Sequence, residues 1–169
     1  MWGMLFVAVL AVGIGGPAVA APRLAATEQQ LLDAHNRERA KVGVAPLRWD
    51  PGLAASAASY GPRLASLGRL VHSPRSTRPG QRENLAMDIS GRATPSALVQ
   101  MWIDEKRFLR AGTFPHVSAT GRWEDVAHYT QMVWRGTTHV GCAIHDDGRW
   151  NYLICRYSPP GNQDGRPVY

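Results

Sequence analysis

Apolar positions recur at helical spacing soon after the chain's first charged residues. Leu31, Ala34, His35, Glu38 and Val42 share one face, with two polar members inside the stripe. Thr27 followed by Gln30 predicts a capping box at the start of this helix, and Gly43 is a suitable residue just past its end. Beyond Pro46-Leu47-Arg48-Trp49, Asp50 and Pro51 open a second helix whose buried face is Leu53, Ala57, Leu64 and Leu67. Pro62 falls inside it and is expected to kink or interrupt it, because proline removes a hydrogen bond and crowds the preceding turn. Residues 73–81 hold two prolines and a glycine and read as loop, and residues 85–90 alternate as a short strand. Thr94 with Pro95 starts a third helix, expected to reach about Leu109. Residues 111–124 look irregular, and 128–134 suit a short helix. Residues 140–144 and 152–157 flank Asp147-Gly148, a strong hairpin signal. With that dipeptide central, Cys142 and Cys155 fall on one face, diagonal to each other. The order predicts an α+β fold, a small antiparallel sheet covered by helices.

The first 21 residues carry no charged side chain. An apolar run at 4–12 gives way to Gly13, Gly15, Gly16 and Pro17, then to Ala18-Val19-Ala20. This reads as a secretory signal peptide at 1–20, cleaved after Ala20, followed by a single domain at 21–169. The n-region holds no Lys or Arg; the alternative, an uncleaved anchor, is a poor span because of its glycines and proline. In a secreted, extracellular protein the two cysteines, Cys142 and Cys155, are expected to form a structural disulfide, since neither sits in a C-x-x-C metal spacing.

At 169 residues the chain has room for one core, and 44% hydrophobic content argues against disorder. The net charge of +6 allows an anionic surface as partner: acidic lipid head groups, cell-wall polymers or nucleic acid. No basic helix and no aromatic RNA-binding signature accompany it, so nucleic acid is not expected. The densest basic group, Arg75, Arg78 and Arg82, reads as a solvated loop.

The chemistry begins with a carboxylate in an awkward place. Leu98, Met101, Trp102, Phe108 and Leu109 form one apolar stripe on the third helix, and Glu105 lies near its middle. A buried carboxylate needs a partner, either an arginine or a bound cation. His35 also lies on an apolar face but has no second ligand nearby, so it reads as a hydrogen-bonded core histidine. Glu124 and His128 are four apart; Gly121 and Val126 argue against the helix that would bring them together.

Ala34-His35-Asn36 with Arg39, Gly43, Pro46-Leu47 and Trp49 is similar to the pattern A-H-N-x-x-R-x-x-x-G-x-x-P-L-x-W. Leu70-Val71-His72-Ser73 resembles a histidine-containing turn, Arg82-Glu83-Asn84-Leu85-Ala86 resembles G-E-N-L-A, and Trp102 with Glu105 resembles W-x-x-E. The run His128-Tyr129-Thr130-Gln131-Met132-Val133-Trp134 matches G-H-Y-T-Q-V-V-W without its glycine, and residues 152–162 resemble a second signature. In that order these motifs resemble the CAP superfamily: cysteine-rich secretory, antigen 5 and plant pathogenesis-related proteins (the SCP domain). Arg82 stands where the family pattern has glycine, Ala127 replaces the glycine before His128, and Gln163 follows Gly161-Asn162 in place of an apolar residue.

The resemblance implies a three-layer α–β–α sandwich. It also implies a central cleft gathering His72, Glu83, Glu105 and His128, able to hold zinc or another divalent cation. His72 and His128 would be the metal ligands, with Glu83 and Glu105 as ligands or orienting partners. Two neutral imidazoles, two carboxylates and a divalent cation sum to zero charge. The implied role is non-enzymatic: an extracellular protein binding a small lipid or sterol-like ligand, or acting in antimicrobial or host-interaction settings. The competing reading is a metal- or Ser/His-assisted hydrolase, protease-like, since Ser73 adjoins His72; neither G-x-S-x-G nor H-E-x-x-H is present.

Overall fold

In the computed structural model, which describes residues 24–169, the first apolar stripe folds as helix α1 (Ala26–Lys41). It starts earlier than the Thr27 capping box predicts, because Glu28 Oε2 reaches back to accept the Ala25 N–H at 2.9 Å. Leu31, Ala34, His35, Glu38 and Arg39 are its buried residues. The expected leader at 1–20 and its cleavage point lie outside the described residues.

Arg39 has no carboxylate partner among the described residues. Its buried guanidinium donates instead to four carbonyls: Nε to Ala45 at 2.7 Å, Nη1 to Met132 and Trp134 at 3.0 and 2.9 Å, and Nη2 to Thr137 at 2.9 Å. The rigid fork suits this role, since one guanidinium reaches carbonyls of separate segments, and a buried carbonyl left unsatisfied costs about 1–3 kcal/mol.

Strand β1 (Arg48–Trp49) precedes helix α2 (Pro51–Leu67), which Asp50 caps by accepting from Gly52 N and Leu53 N at 2.8 and 3.0 Å. The helix is continuous through Pro62, contrary to the expected interruption. The proline faces solvent between buried Gly61 and Leu64, so its ring costs a hydrogen bond without displacing the packed face. Strand β2 (Arg82–Ile89) begins three residues before the predicted alternation. Helix α3 (Pro95–Ile103), capped by Thr94, ends six residues short of Leu109 and passes into a 3-10 turn at Asp104–Phe108. Within α3 the buried face is Leu98, Val99, Trp102 and Ile103, which leaves Met101 exposed and corrects the predicted stripe, and the change of winding puts Glu105 on the turn instead of the α-helical face.

Helix α4 (Ala127–Met132) leads to strands β3 (His139–Asp146) and β4 (Trp150–Ser158). The sheet order is β1-β3-β4-β2; β1 pairs in parallel with β3, and the other pairs are antiparallel. The predicted sheet was antiparallel throughout, because two residues are too few to show a strand period. Side chains alternate across the sheet as its pleat requires. Leu85, Tyr152 and Ile154 pack with Ala57 and Leu64 of α2, while Ala86, Leu153, Cys155 and Tyr157 face the cluster built from α1, α3 and α4. The result is helix, sheet, helix in three layers. Gly141 sets the closeness of the first layer: a Cβ there would collide with the α2 backbone at Asp50 and Ala54. No helix among the described residues is long and apolar enough to cross a membrane.

Cys142 and Cys155 are bridged and directly opposite, not diagonal. The turn centres one residue later than predicted, on Gly148-Arg149, because Asp147 Oδ1 accepts from Arg149 N and Trp150 N and Gly148 takes the positive φ of +86°. Closing a loop with a sequence separation of 13 contributes about 2–3 kcal/mol through the unfolded chain.

His35 lies at 0% exposure, its Nδ1 2.7 Å from the Leu31 carbonyl oxygen and its Nε2 2.8 Å from the Tyr157 hydroxyl. Burial holds its pKa down at about 4, and the Arg39 charge adds to this against the Leu31 carbonyl. The unfolded chain therefore binds a proton near pH 6.5 that the folded protein refuses until about pH 4. Stability from this group is complete above pH 6.5 and shrinks by about 3 kcal/mol as pH falls to 4. Urea unfolding across that range checks it: the gap between wild type and His35→Gln should narrow with acid, and a constant gap contradicts the assignment.

Candidate functional site

Glu83 is the second residue of β2, and the antiparallel register sets it opposite Arg156 on β4. Its buried carboxylate has four partners. Oε1 lies 2.7 Å from His72 Nδ1 and accepts from Ser73 N at 3.0 Å; Oε2 accepts from Ser73 Oγ at 3.0 Å and pairs with Arg156 Nη2 at 3.0 Å. Burial pushes the Glu83 pKa up, but the His72 hydrogen bond, the Arg156 charge and the Ser73 N–H together leave it below the ordinary range. Glu83 is thus an ionised acceptor, which assigns the His72 proton to Nδ1. Removing Arg156 would strand this charge at a cost of about 3–5 kcal/mol.

A second pair is built the same way. Glu105, on the 3-10 turn after α3, receives the start of α4: its Oε2 accepts from His128 N and Tyr129 N at 3.0 and 3.1 Å. Its Oε1 lies 2.6 Å from His128 Nδ1. Trp102 stacks on the His128 ring at 5.9 Å between centroids and 16° between planes, and anchors itself by donating Nε1–H to the Leu85 carbonyl at 3.0 Å. This accounts physically for the Trp-x-x-Glu spacing: one residue supports the face of the imidazole and the other grips its edge. Asn84 donates to the His128 carbonyl at 3.0 Å, tying α4 to the sheet. Asn162 donates to the Ala127 carbonyl and accepts from Thr130, so the second signature braces the first.

His72, Glu83, Asn84 and His128 line one cavity of about 580 Å³. Each imidazole has Nδ1 turned to a carboxylate, and neither Nε2 has a hydrogen-bond partner among the described residues. His72 is the outer member, with a side chain 55% exposed against 29% for His128. Phe114, Pro115 and Trp123 form an apolar wall on the same cavity.

Other candidates fall elsewhere. Glu124 is exposed in the turn Trp123–Val126, and the carboxylate beside His128 is that of Glu105. Ser73 is buried, and its hydroxyl donates to Glu83 while accepting from Arg78 Nε and Arg156 Nη1 at 3.0 and 2.9 Å. No imidazole bonds to that hydroxyl. The arginine group does not form a merely solvated loop: Arg78 is 6% exposed, and Arg75, Arg78 and Arg82 all line the cavity. Arg156 falls inside the second signature, but the motif alone assigns it no role. A charged residue inside the buried run Leu153-Ile154-Cys155-Arg156-Tyr157 signals a buried counter-ion, and Glu83 is that ion.

Arg156 also changes the charge balance. With the two carboxylates, two neutral imidazoles and a divalent cation, the buried guanidinium leaves one net positive charge instead of zero. Among the described residues, no three His, Cys, Asp or Glu side chains converge closely enough to hold a metal ion.

Comparison with known proteins gives a consistent family. The model of the CAP family, described as the cysteine-rich secretory protein family, matches residues 32–157. Pathogenesis-related protein 1B of Nicotiana tabacum is 42% identical over 146 residues, covering 85% of this chain and 81% of the relative. Pathogenesis-related protein 1 of Arabidopsis thaliana is 37% identical over 147 residues, covering 85% and 83%. Among solved structures, a crystal structure of NaASP2 with Zn2+ superposes with a TM-score of 0.72 at 25% identity, covering 86% of each chain.

Proposed function

The chain belongs to the CAP family, and from that premise we propose that it is a secreted binding protein whose His/Glu cleft receives a small lipid or sterol-like ligand, without hydrolysing it. The observation that carries this reading is the state of Ser73. Its hydroxyl is buried among Glu83, Arg78 and Arg156, with no imidazole to remove its proton, so the neighbouring histidine does not make it a nucleophile. The cavity of about 580 Å³ falls in the usual range for small-molecule sites, and its aromatic wall suits an apolar body. Export is supported by the leader-like sequence at 1–20 and by the disulfide, which requires an oxidising compartment. The relatives named pathogenesis-related favour a role at an encounter between organisms.

A divalent cation fits part of this site. With Nδ1–H given to a carboxylate, each imidazole keeps a lone pair on Nε2, the arrangement that orients histidine ligands in zinc proteins. His72 and His128 would hold the ion, and water or ligand would complete its shell; a bound zinc would supply Lewis acidity toward an oxygen of the ligand. Two direct donors and the surplus charge from Arg156 make this a weak site.

Two experiments test the reading. Native mass spectrometry of the purified protein with fatty acids and sterols should give a one-to-one adduct, alongside no turnover of a peptide library. Peptide cleavage abolished by Ser73→Ala would overturn it. In zinc calorimetry at one pH, Glu105→Gln should weaken binding on the order of tenfold, and Glu124→Gln should leave it nearly unchanged. The reverse order would show that the wrong carboxylate has been assigned to His128.

A further inference from the structure

The proposed lipid-like ligand leaves Arg75, Arg78 and Arg82 without a use. All three line the cavity that holds His72 and His128. Among the described residues none of them forms an ion pair. Glu83, the nearest buried acid, is already matched to Arg156, and Asp164 is the one other carboxylate on the cavity wall. Burial depresses the pKa of Arg78 and of Arg82; the Glu83 charge opposes this at Arg78 and the Asp164 charge at Arg82, while Arg75 depresses both, so the cations lie close enough to repel.

Two of the three are also held in place. Arg78 spends Nε on the Ser73 carbonyl and hydroxyl and Nη1 on the Gln81 carbonyl. Arg82 spends Nε and Nη2 on the carbonyls of Gly161 and Asn162, at 3.0 and 3.2 Å. These bonds fix both guanidiniums while Nη2 of Arg78 and Nη1 of Arg82 keep free donors, and Arg75 is exposed with all its donors free. Guanidiniums on a concave wall, two of them fixed and none in an ion pair among the described residues, suit an oxyanion. Three separate donors suit the three outer oxygens of a phosphate or sulfate ester better than the two of a carboxylate. Phe114, Pro115 and Trp123 then offer the apolar remainder a surface in the same cavity.

We infer that the cleft binds a small organic phosphate or sulfate ester, its anionic head on Arg75, Arg78 and Arg82 and its apolar body on the Phe114–Trp123 wall. This rests on the binding-protein reading above and adds a charge requirement that a neutral sterol or lipid would not meet. Arg82 is the chain's own contribution, since it occupies the glycine position of the G-E-N-L-A pattern.

Calorimetry with decyl phosphate, naphthyl phosphate, their parent alcohols and inorganic phosphate tests it on the purified protein. The esters should bind at least about tenfold tighter than the alcohols and than inorganic phosphate, and added salt should weaken them. Which ester binds better separates an alkyl source from an aromatic one. Arg75→Gln and Arg82→Gly should each weaken ester binding several-fold and leave the alcohols unchanged. The Arg75 side chain makes no internal hydrogen bond, so its variant keeps the result readable if Arg82→Gly disturbs folding. Alcohols bound as tightly as esters, with both variants silent, would overturn the anion site while leaving the lipid-binding reading standing. No binding by any probe would overturn the ester site, and the absence of fatty-acid and sterol adducts as well would overturn both.

Discussion

The buried pair between Glu83 and Arg156 is the constraint on which the cleft depends. Antiparallel pairing of β2 with β4 sets these residues opposite each other, so the sheet itself delivers the two charges to one point. Neither charge tolerates burial alone, and each therefore enforces the other. The same carboxylate draws in Ser73 N, Ser73 Oγ and His72 Nδ1, which ties the loop before β2 onto the sheet and orients the outer imidazole. One ion pair thus governs the loop's path, the histidine's proton and the partners of the serine hydroxyl.

Its electrostatic consequence reaches further than its geometry. Arg156 cancels the charge that would otherwise make this end of the cleft attractive to cations. Arg75, Arg78 and Arg82 line the same cavity, and none of them forms an ion pair among the described residues. At the inner end Glu105 retains its pairing with His128 and with two backbone N–H groups of α4. The cleft therefore gathers three arginines and two imidazole–carboxylate pairs, with an aromatic wall alongside. The opposite face of the sheet takes no part in this; α2 lies against it at the closeness that Gly141 allows.

Much of this was legible in the sequence, for identifiable reasons. Asp50-Pro51 and Thr94-Pro95 are local signals with their own physics, and both helices start where those signals place them. The hairpin was legible, but its register was not, because the Asp147 side chain moves the turn one residue along by accepting from Arg149 and Trp150. Helical periodicity nominated Glu105 as a residue needing a partner, although it assumed a helix that in fact tightens to 3-10 after Ile103. The partner was not legible from spacing, since Glu105 and His128 are 23 residues apart and meet only through the packing of α3 on α4. β1 escaped because two residues carry no period. The cavity-lining role of Arg78 escaped because an arginine between prolines looks solvated until the fold closes over it.

The central claim is that each carboxylate fixes its imidazole with the proton on Nδ1, leaving Nε2 of His72 and of His128 as free acceptors at one cavity. Nitrogen-15 NMR of the histidine side chains near pH 8 measures this directly, with His72→Gln and His128→Gln variants assigning the signals. The account predicts that both residues are Nδ1–H tautomers, with Nε2 at the shift of an unprotonated nitrogen. Glu83→Gln should alter the His72 signal alone, and Glu105→Gln the His128 signal alone. Protonation at Nε2, or averaged signals from rings exchanging freely between tautomers, would contradict it.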